Sequence, residues 1–201
     1  MRHPALSSCM SPTRSRPLVV GVVGSLNDES VTRQATRHAL DAAKRRGART
    51  ELLDLRAYDI PVFDPNAAAP SDIESLTDTI EAADSVLLGT PMYHGSYSSP
   101  LKTVLDYCGF DEFEDTTVGL LAVAGGGFPL PALEHLRAVC RAFDAWVLPH
   151  QAAVTDSHSI DGSLPESDRE RLAELGEQTV AYADIGPSHP AADCSGVPAD
   201  D

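Results

Sequence analysis

Between Leu18 and Ala183, apolar runs alternate with segments at helical spacing, and this alternation restricts the possible folds more than any other feature of the chain. Leu18-Val19-Val20-Gly21-Val22-Val23-Gly24 is a continuous apolar run, the pattern of a strand buried on both faces. Ser30 to Arg46 then reads as a helix, with Val31, Ala35, Ala39 and Ala42 on one side and Gly47 as the stop. Further strands are expected at Thr50 to Leu55, Ser85 to Gly89 and Val118 to Ala124, with a fifth starting at Trp146-Val147-Leu148. Helices are expected at Ser71 to Ala83, Ser99 to Cys108, Pro131 to Phe143 and Pro165 to Ala183. Their inward positions include Leu101, Val104, Leu105 and Cys108, then Leu133, Leu136, Cys140 and Phe143. Strict strand–helix alternation requires right-handed crossovers, so the expectation is an α/β, three-layer sandwich around a five-stranded parallel sheet.

A chain of 201 residues, 42% of them apolar, is long enough for one domain with a full core. The domain is expected over 18–185, with a disordered extension over 1–17 and a disordered acidic tail over 186–201. The first segment carries Arg2, Arg14 and Arg16 without an acid, a composition shared with transit peptides. A start codon placed too early, with Met10 as the true start, accounts for it equally. No apolar run approaches a membrane span. A net charge of −15 argues against sequence-independent binding to nucleic acid or to an anionic membrane surface.

Of the fifteen basic residues only Lys44 and Lys102 are lysine. An acidic, lysine-poor surface suits a halophilic, cytoplasmic protein, because salt screens its self-repulsion. A GC-rich genome, which favours arginine and alanine, gives a similar composition. Cys9, Cys108, Cys140 and Cys194 form no Cys-x-x-Cys pair and have no histidine at zinc spacing. Cys108 and Cys140 fit small buried thiols, and a reducing compartment.

Three loops stand out, and in an open parallel sheet all three leave the edge where ligands bind. The first, Gly24-Ser25-Leu26-Asn27-Asp28-Glu29-Ser30-Val31-Thr32-Arg33, opens a helix, so free N–H groups and the positive helix end face it. Hydroxyls of Ser25, Ser30 and Thr32 complete a possible phosphate cradle. Equally, Asp28 or Ser30 caps the helix and nothing more. The two acids count against a phosphate dianion unless they point outward. The second loop runs from Thr90 to Lys102. Pro91 stiffens it, Gly95 permits close backbone approach, Ser96, Ser98 and Ser99 offer hydroxyls, and Tyr93 and Tyr97 offer flat faces. This suits a planar, polar-edged ligand better than a metal or a nucleophile; a proline turn whose serines cap the next helix is the plainer reading. The third, Ala124-Gly125-Gly126-Gly127-Phe128, exposes bare backbone that a ring could lie against, or is a flexible turn.

These residues resemble the NADPH-dependent FMN reductase family, which has a flavodoxin-like fold and includes quinone, azo-dye and chromate reductases. The likeness rests on Gly24-Ser25 with Ser30 and Thr32, on Pro91-Met92-Tyr93-His94-Gly95-Ser96 running into Leu101-Lys102, and on Gly125-Gly126-Gly127. Asp54-Leu55-Arg56 followed by Ile60-Pro61-Val62-Phe63 resembles the family's run after strand two. The resemblance implies that Ser25, Asn27, Ser30 and Thr32 hold the FMN phosphate. It assigns Pro91, Met92, Tyr93, His94, Gly95 and Ser96 to the ribityl chain and one ring edge, and Gly125, Gly126 and Gly127 to the pyrimidine end. Many members carry arginine where this chain has Asn27, which implies looser FMN, exchanged as a substrate.

The implied activity is NAD(P)H-dependent flavin oxidoreduction, with NADPH or NADH as donor and free flavin, a quinone or another small molecule as acceptor. No catalytic acid or base is assigned, because the cofactor carries the chemistry. The alternative is a flavodoxin-type electron carrier that does not oxidise NAD(P)H directly. A response-regulator or nucleotide-binding domain of the same fold lacks support, since there is no phosphoacceptor Asp after strand three. The family also implies a homodimer or homotetramer. Ile60-Pro61-Val62-Phe63 and Tyr97 are interface candidates, with core packing an equal explanation for the first four.

Overall fold

The computed structural model describes residues 16–183. The extension expected over 1–17 lies outside the described residues except for Arg16 and Pro17, and the tail over 186–201 lies wholly outside them. Strands β1 (Leu18–Val23), β2 (Arg49–Asp54), β3 (Ser85–Pro91), β4 (Thr117–Val123) and β5 (Trp146–Val154) form one parallel sheet. Their order is β2-β1-β3-β4-β5. The helices are α1 (Val31–Arg45), α2 (Ser71–Glu81), α3 (Ser99–Tyr107), α4 (Phe110–Phe113), α5 (Leu130–Ala142) and α6 (Glu166–Ala181). This is the flavodoxin-like α/β sandwich that the alternation requires.

Side chains alternate across the sheet and build a core on each face. Val20, Val22, Val86, Leu88, Val118 and Leu120 pack with α2, α3 and α5, through Leu76, Ile80, Leu101, Leu105, Leu133 and Leu136. Val19, Leu87 and Leu121 pack with α1 and α6, through Ala35, Ala39, Leu172 and Leu175. Every residue of β3 and β4 is buried, and the hydroxyls of Ser85, Thr90 and Thr117 among them donate to the Thr179, Pro91 and Tyr182 carbonyls. Cys140 lies in the first core, and burial pushes its thiol up to about 12. Cys108, in contrast, sits half-buried just beyond the end of α3.

Two features depart from the expected pattern. Helix α4 is a single turn, too short to show a period; its Phe113 is fully buried and stacks on Phe143 at 5.3 Å between ring centroids. Strand β5 runs through Pro149, which lacks a ladder N–H. Val118 pairs with Val147 but Leu120 pairs with Gln151, so Leu148, Pro149 and His150 bulge out opposite Gly119. An edge strand tolerates this because its outer side has no partner strand.

Candidate active site

The sheet order reverses direction between β1 and β3, so the loops that leave their carboxyl ends diverge and open a crevice. A cleft of about 750 Å³ lies there. Ser25, Asn27, Ser30, Thr32, Pro91, Met92, Tyr93 and Gly125 line it, which brings all three unusual loops together. His94, Gly95, Ser96, Gly126 and Gly127 do not line it.

The first loop is held open by its own side chains. Ser30 is the N-cap of α1, and its hydroxyl accepts from the Arg33 N–H at 3.0 Å. Asn27 Oδ1 accepts from the Glu29 N–H at 2.9 Å. Ser25, Ser30 and Thr32 are buried around the first turn, where the N–H groups of Val31 and Thr32 have no intrahelical partner. Capping and cradle are therefore compatible. The carboxylate of Asp28 is fully exposed and accepts from Arg56 Nη1 at 3.0 Å. Arg33 donates to the Asp28 carbonyl and pairs with Asp54 at 3.2 Å. Arg56 also pairs with Asp54, at 2.9 Å. Burial alone would raise the Asp54 carboxyl, but hydrogen bonds from Arg56 and Arg33 outweigh it and hold it below the usual carboxylate range.

The second loop begins later than its sequence suggests, since Thr90 and Pro91 belong to β3, where Pro91 pairs with Val123. Tyr93 and Ser96 exchange backbone bonds of 3.0 and 3.1 Å around His94 and Gly95, whose φ values are +51° and +82°. Two positive-φ residues between paired neighbours form the tight turn of a type I′ hairpin. Gly95 is thus needed for its φ; nothing lies within 4 Å of where its Cβ would be, so close approach is not the reason. His94 projects at the exposed turn tip. Ser96 Oγ bonds His135 Nδ1 on α5 at 3.0 Å. Ser98 is the N-cap of α3, yet it makes no side-chain cap bond; its hydroxyl donates to the Gly24 carbonyl instead.

The third loop has a partner that sequence reasoning missed. After β5, residues Ser157–Ser159 form a 3-10 turn, and Ser157, His158, Ile160, Asp161 and Gly162 line the same cleft. The Ser157 N–H donates to the Ala124 carbonyl at 3.0 Å, and the Asp156 N–H donates to Gly126 at 3.1 Å. His158 lies on Gly125, while Gly126 and Gly127 face open space. The available signal was positional, a polar Ser-His-Ser-Ile-Asp-Gly stretch leaving the carboxyl end of a strand.

Ile60 packs against the core, as does Tyr97, but Val62 is 85% exposed, so core packing does not account for the whole apolar run. No described helix is long and apolar enough to cross a membrane.

The strand order β2-β1-β3-β4-β5, with a crevice at its switch point, defines an open α/β protein of the flavodoxin-like class. The family model for NADPH-dependent FMN reductase matches residues 17–159. An FMN-dependent NADPH-azoreductase of Staphylococcus aureus (strain USA300) is 32% identical over 178 residues, covering 83% of this chain and 95% of that protein. Among solved structures, FerB, a flavoenzyme NAD(P)H:(acceptor) oxidoreductase from Paracoccus denitrificans, matches with a TM-score of 0.71 at 22% identity. That match covers 85% of this chain and 98% of that one. The apo form of an NADH:FMN oxidoreductase matches with a TM-score of 0.70 at 20% identity, covering 87% and 92%. The chain belongs to the NADPH-dependent FMN reductase family. It is an NAD(P)H-dependent flavin oxidoreductase with FMN as its cofactor.

Proposed function

We propose that the cleft holds FMN and that the enzyme passes electrons from NADPH or NADH to a small acceptor, a free flavin, a quinone or an azo compound. The observation that carries this reading is the convergence of Ser25, Ser30 and Thr32, buried around the start of α1, with Tyr93 and Gly125 in one cleft. The residues fit the cofactor. Its phosphate suits the hydroxyls and free N–H groups of the first turn, where the helix dipole adds attraction. Asp28 does not oppose it, because its carboxylate is turned to Arg56. Pro91, Met92 and Tyr93 offer an apolar side for the ring, and Gly126 and Gly127 leave room for its edge. His94, Gly95 and Ser96 act through the hairpin turn, by setting where Tyr93 stands.

Bound FMN supplies hydride acceptance and release. The protein's task is to orient the ring, leave one face open and offer hydrogen bonds where negative charge collects on reduction. Asn27 brings no positive charge to the phosphate, so FMN is held loosely and exchanges.

The exposed Val62 and Phe63 of the apolar run, with Leu26 beside Val62, fit an apolar contact between two copies of the chain, giving a homodimer or homotetramer. Light scattering on the eluting protein reads that mass directly.

The test is an absorbance titration with FMN in high salt, followed by anaerobic NADPH. Bleaching of the flavin band within seconds supports the reductase, and acceptors are then added in turn. Flavin bleached by dithionite but by neither NADPH nor NADH would mean a passive electron carrier. Absence of FMN binding would overturn the reading of the cleft.

A further inference from the structure

We propose that His158, supplied by the loop after β5, is a flavin-contacting residue that sits beside the ring's polar edge. The inference rests on the assignment of the cleft to FMN and adds a fourth loop to the three already named.

A Cβ built on Gly125 would lie 2.2 Å from His158 Nε2, 2.6 Å from Cδ2 and 3.1 Å from Cε1. The Nε2 end of the imidazole therefore occupies the volume a side chain at position 125 would need. Only glycine permits this contact. The loop that carries this exposed histidine is anchored by main chain. Asp156, at φ +50°, turns the loop back onto the glycine strip. The Asp156 and Ser157 N–H groups then donate to the Gly126 and Ala124 carbonyls, one on each side of Gly125. The Ser159 N–H and hydroxyl both donate to the Asp156 carbonyl, at 2.8 and 2.7 Å, and close the turn.

Next to this contact the glycine loop is bare, since nothing lies within 4 Å of a Cβ at Gly126 or Gly127. Gly125 and His158 both line the cleft, so a planar ligand held in it has the imidazole as its neighbour. An imidazole presents a donor and an acceptor, or two donors when protonated, in the plane of its ring. That matches a pyrimidine edge with alternating carbonyl and N–H groups. Donation to the edge counts for more once the ring carries negative charge. The other charged groups of the cleft are Asp28, Glu29 and Arg33 across from the imidazole and Asp161 on its own loop.

The test compares wild type, His158→Ala, His158→Gln, Gly125→Ala and the His158→Ala/Gly125→Ala double variant. FMN affinity is read by fluorescence quenching, the bound flavin's two-electron potential by dye equilibration, and folding by thermal melt. His158→Ala is expected to weaken FMN about tenfold. It is also expected to lower the potential by about 30 mV, the equivalent of a further tenfold loss for the reduced form. His158→Gln keeps an amide donor and recovers part of both. Gly125→Ala displaces the imidazole and weakens FMN as much as His158→Ala, yet adds little in the double variant. Unchanged affinity and potential in His158→Ala would overturn the proposal. Tighter binding would also overturn it, by showing that the imidazole blocks the site. Wild type that fails to bind FMN would refute the cleft assignment itself, a separate result visible before any variant is made.

Discussion

The Ser98 hydroxyl donates to the Gly24 carbonyl at 2.6 Å, joining the loop after β1 to the loop after β3. The Gly24 N–H meanwhile donates to the Gly89 carbonyl at 2.8 Å, and the Ser98 N–H donates to Thr90 Oγ1 at 2.9 Å. The approach is close enough that a Cβ on Gly24 would lie 2.8 Å from both Ser98 Oγ and Leu101 Cβ. These bonds set the separation of two walls of the cleft before any ligand arrives.

Ser98→Ala leaves the Gly24 carbonyl buried without that donor, a cost of about 1–3 kcal/mol. The expected result is a melting temperature lower by about 2–10 °C and weaker FMN binding. A variant with unchanged melt and FMN affinity would show that the bond neither stabilises nor positions the loops.

Asn27→Arg restores a cation at the phosphate loop. A charge-assisted hydrogen bond contributes about 1.5–3 kcal/mol, so FMN is expected to bind tenfold or more tightly. The wild type should lose flavin on dialysis and the variant should keep it. Stoichiometric yellow wild type after dialysis would refute the loose-binding reading.

Asp54 lies between Arg33 and Arg56, and its carboxyl is held below the ordinary value. A depressed folded pKa stabilises the protein above the unfolded carboxylate value, about 3.9, and that stability is lost as pH falls through the folded value. Asp54→Asn is therefore expected to cost about 1 kcal/mol at pH 7 and progressively less below pH 4. Urea denaturation at several pH values measures the difference. A cost independent of pH would place its origin in packing rather than in charge.

Gly176 of α6 crosses α1 so closely that a Cβ there would lie 2.0 Å from the Ala39 carbonyl oxygen. Because the obstacle is backbone, no rotamer change relieves it. Gly176→Ala must shift a helix and is expected to destabilise the fold by about 1–3 kcal/mol or more. A denaturation midpoint within error of wild type would show that the two helices slide freely.

Local pattern alone dictated much of the architecture. The short apolar runs at β1, β3 and β4, too short for helices and bounded by turn residues, read as strands covered on both faces, and the helices between them call for parallel crossovers. That sheet in turn carries Ser25, Tyr93 and Gly125 to one edge, so eight of the thirteen candidate residues meet in the cleft. Ser30 was legible as a cap because capping is a contact between near neighbours. The contacts of His158 with Gly125, Gly176 with Ala39 and Ser98 with Gly24 join segments far apart in the chain. None has a local pattern, because what decides each is the distance between two backbones after the helices have packed. The same holds for the outward turn of Asp28, which depends on Arg56 arriving from the end of β2. Residue types named the chemistry available at the sheet edge; packing chose which of them face one another.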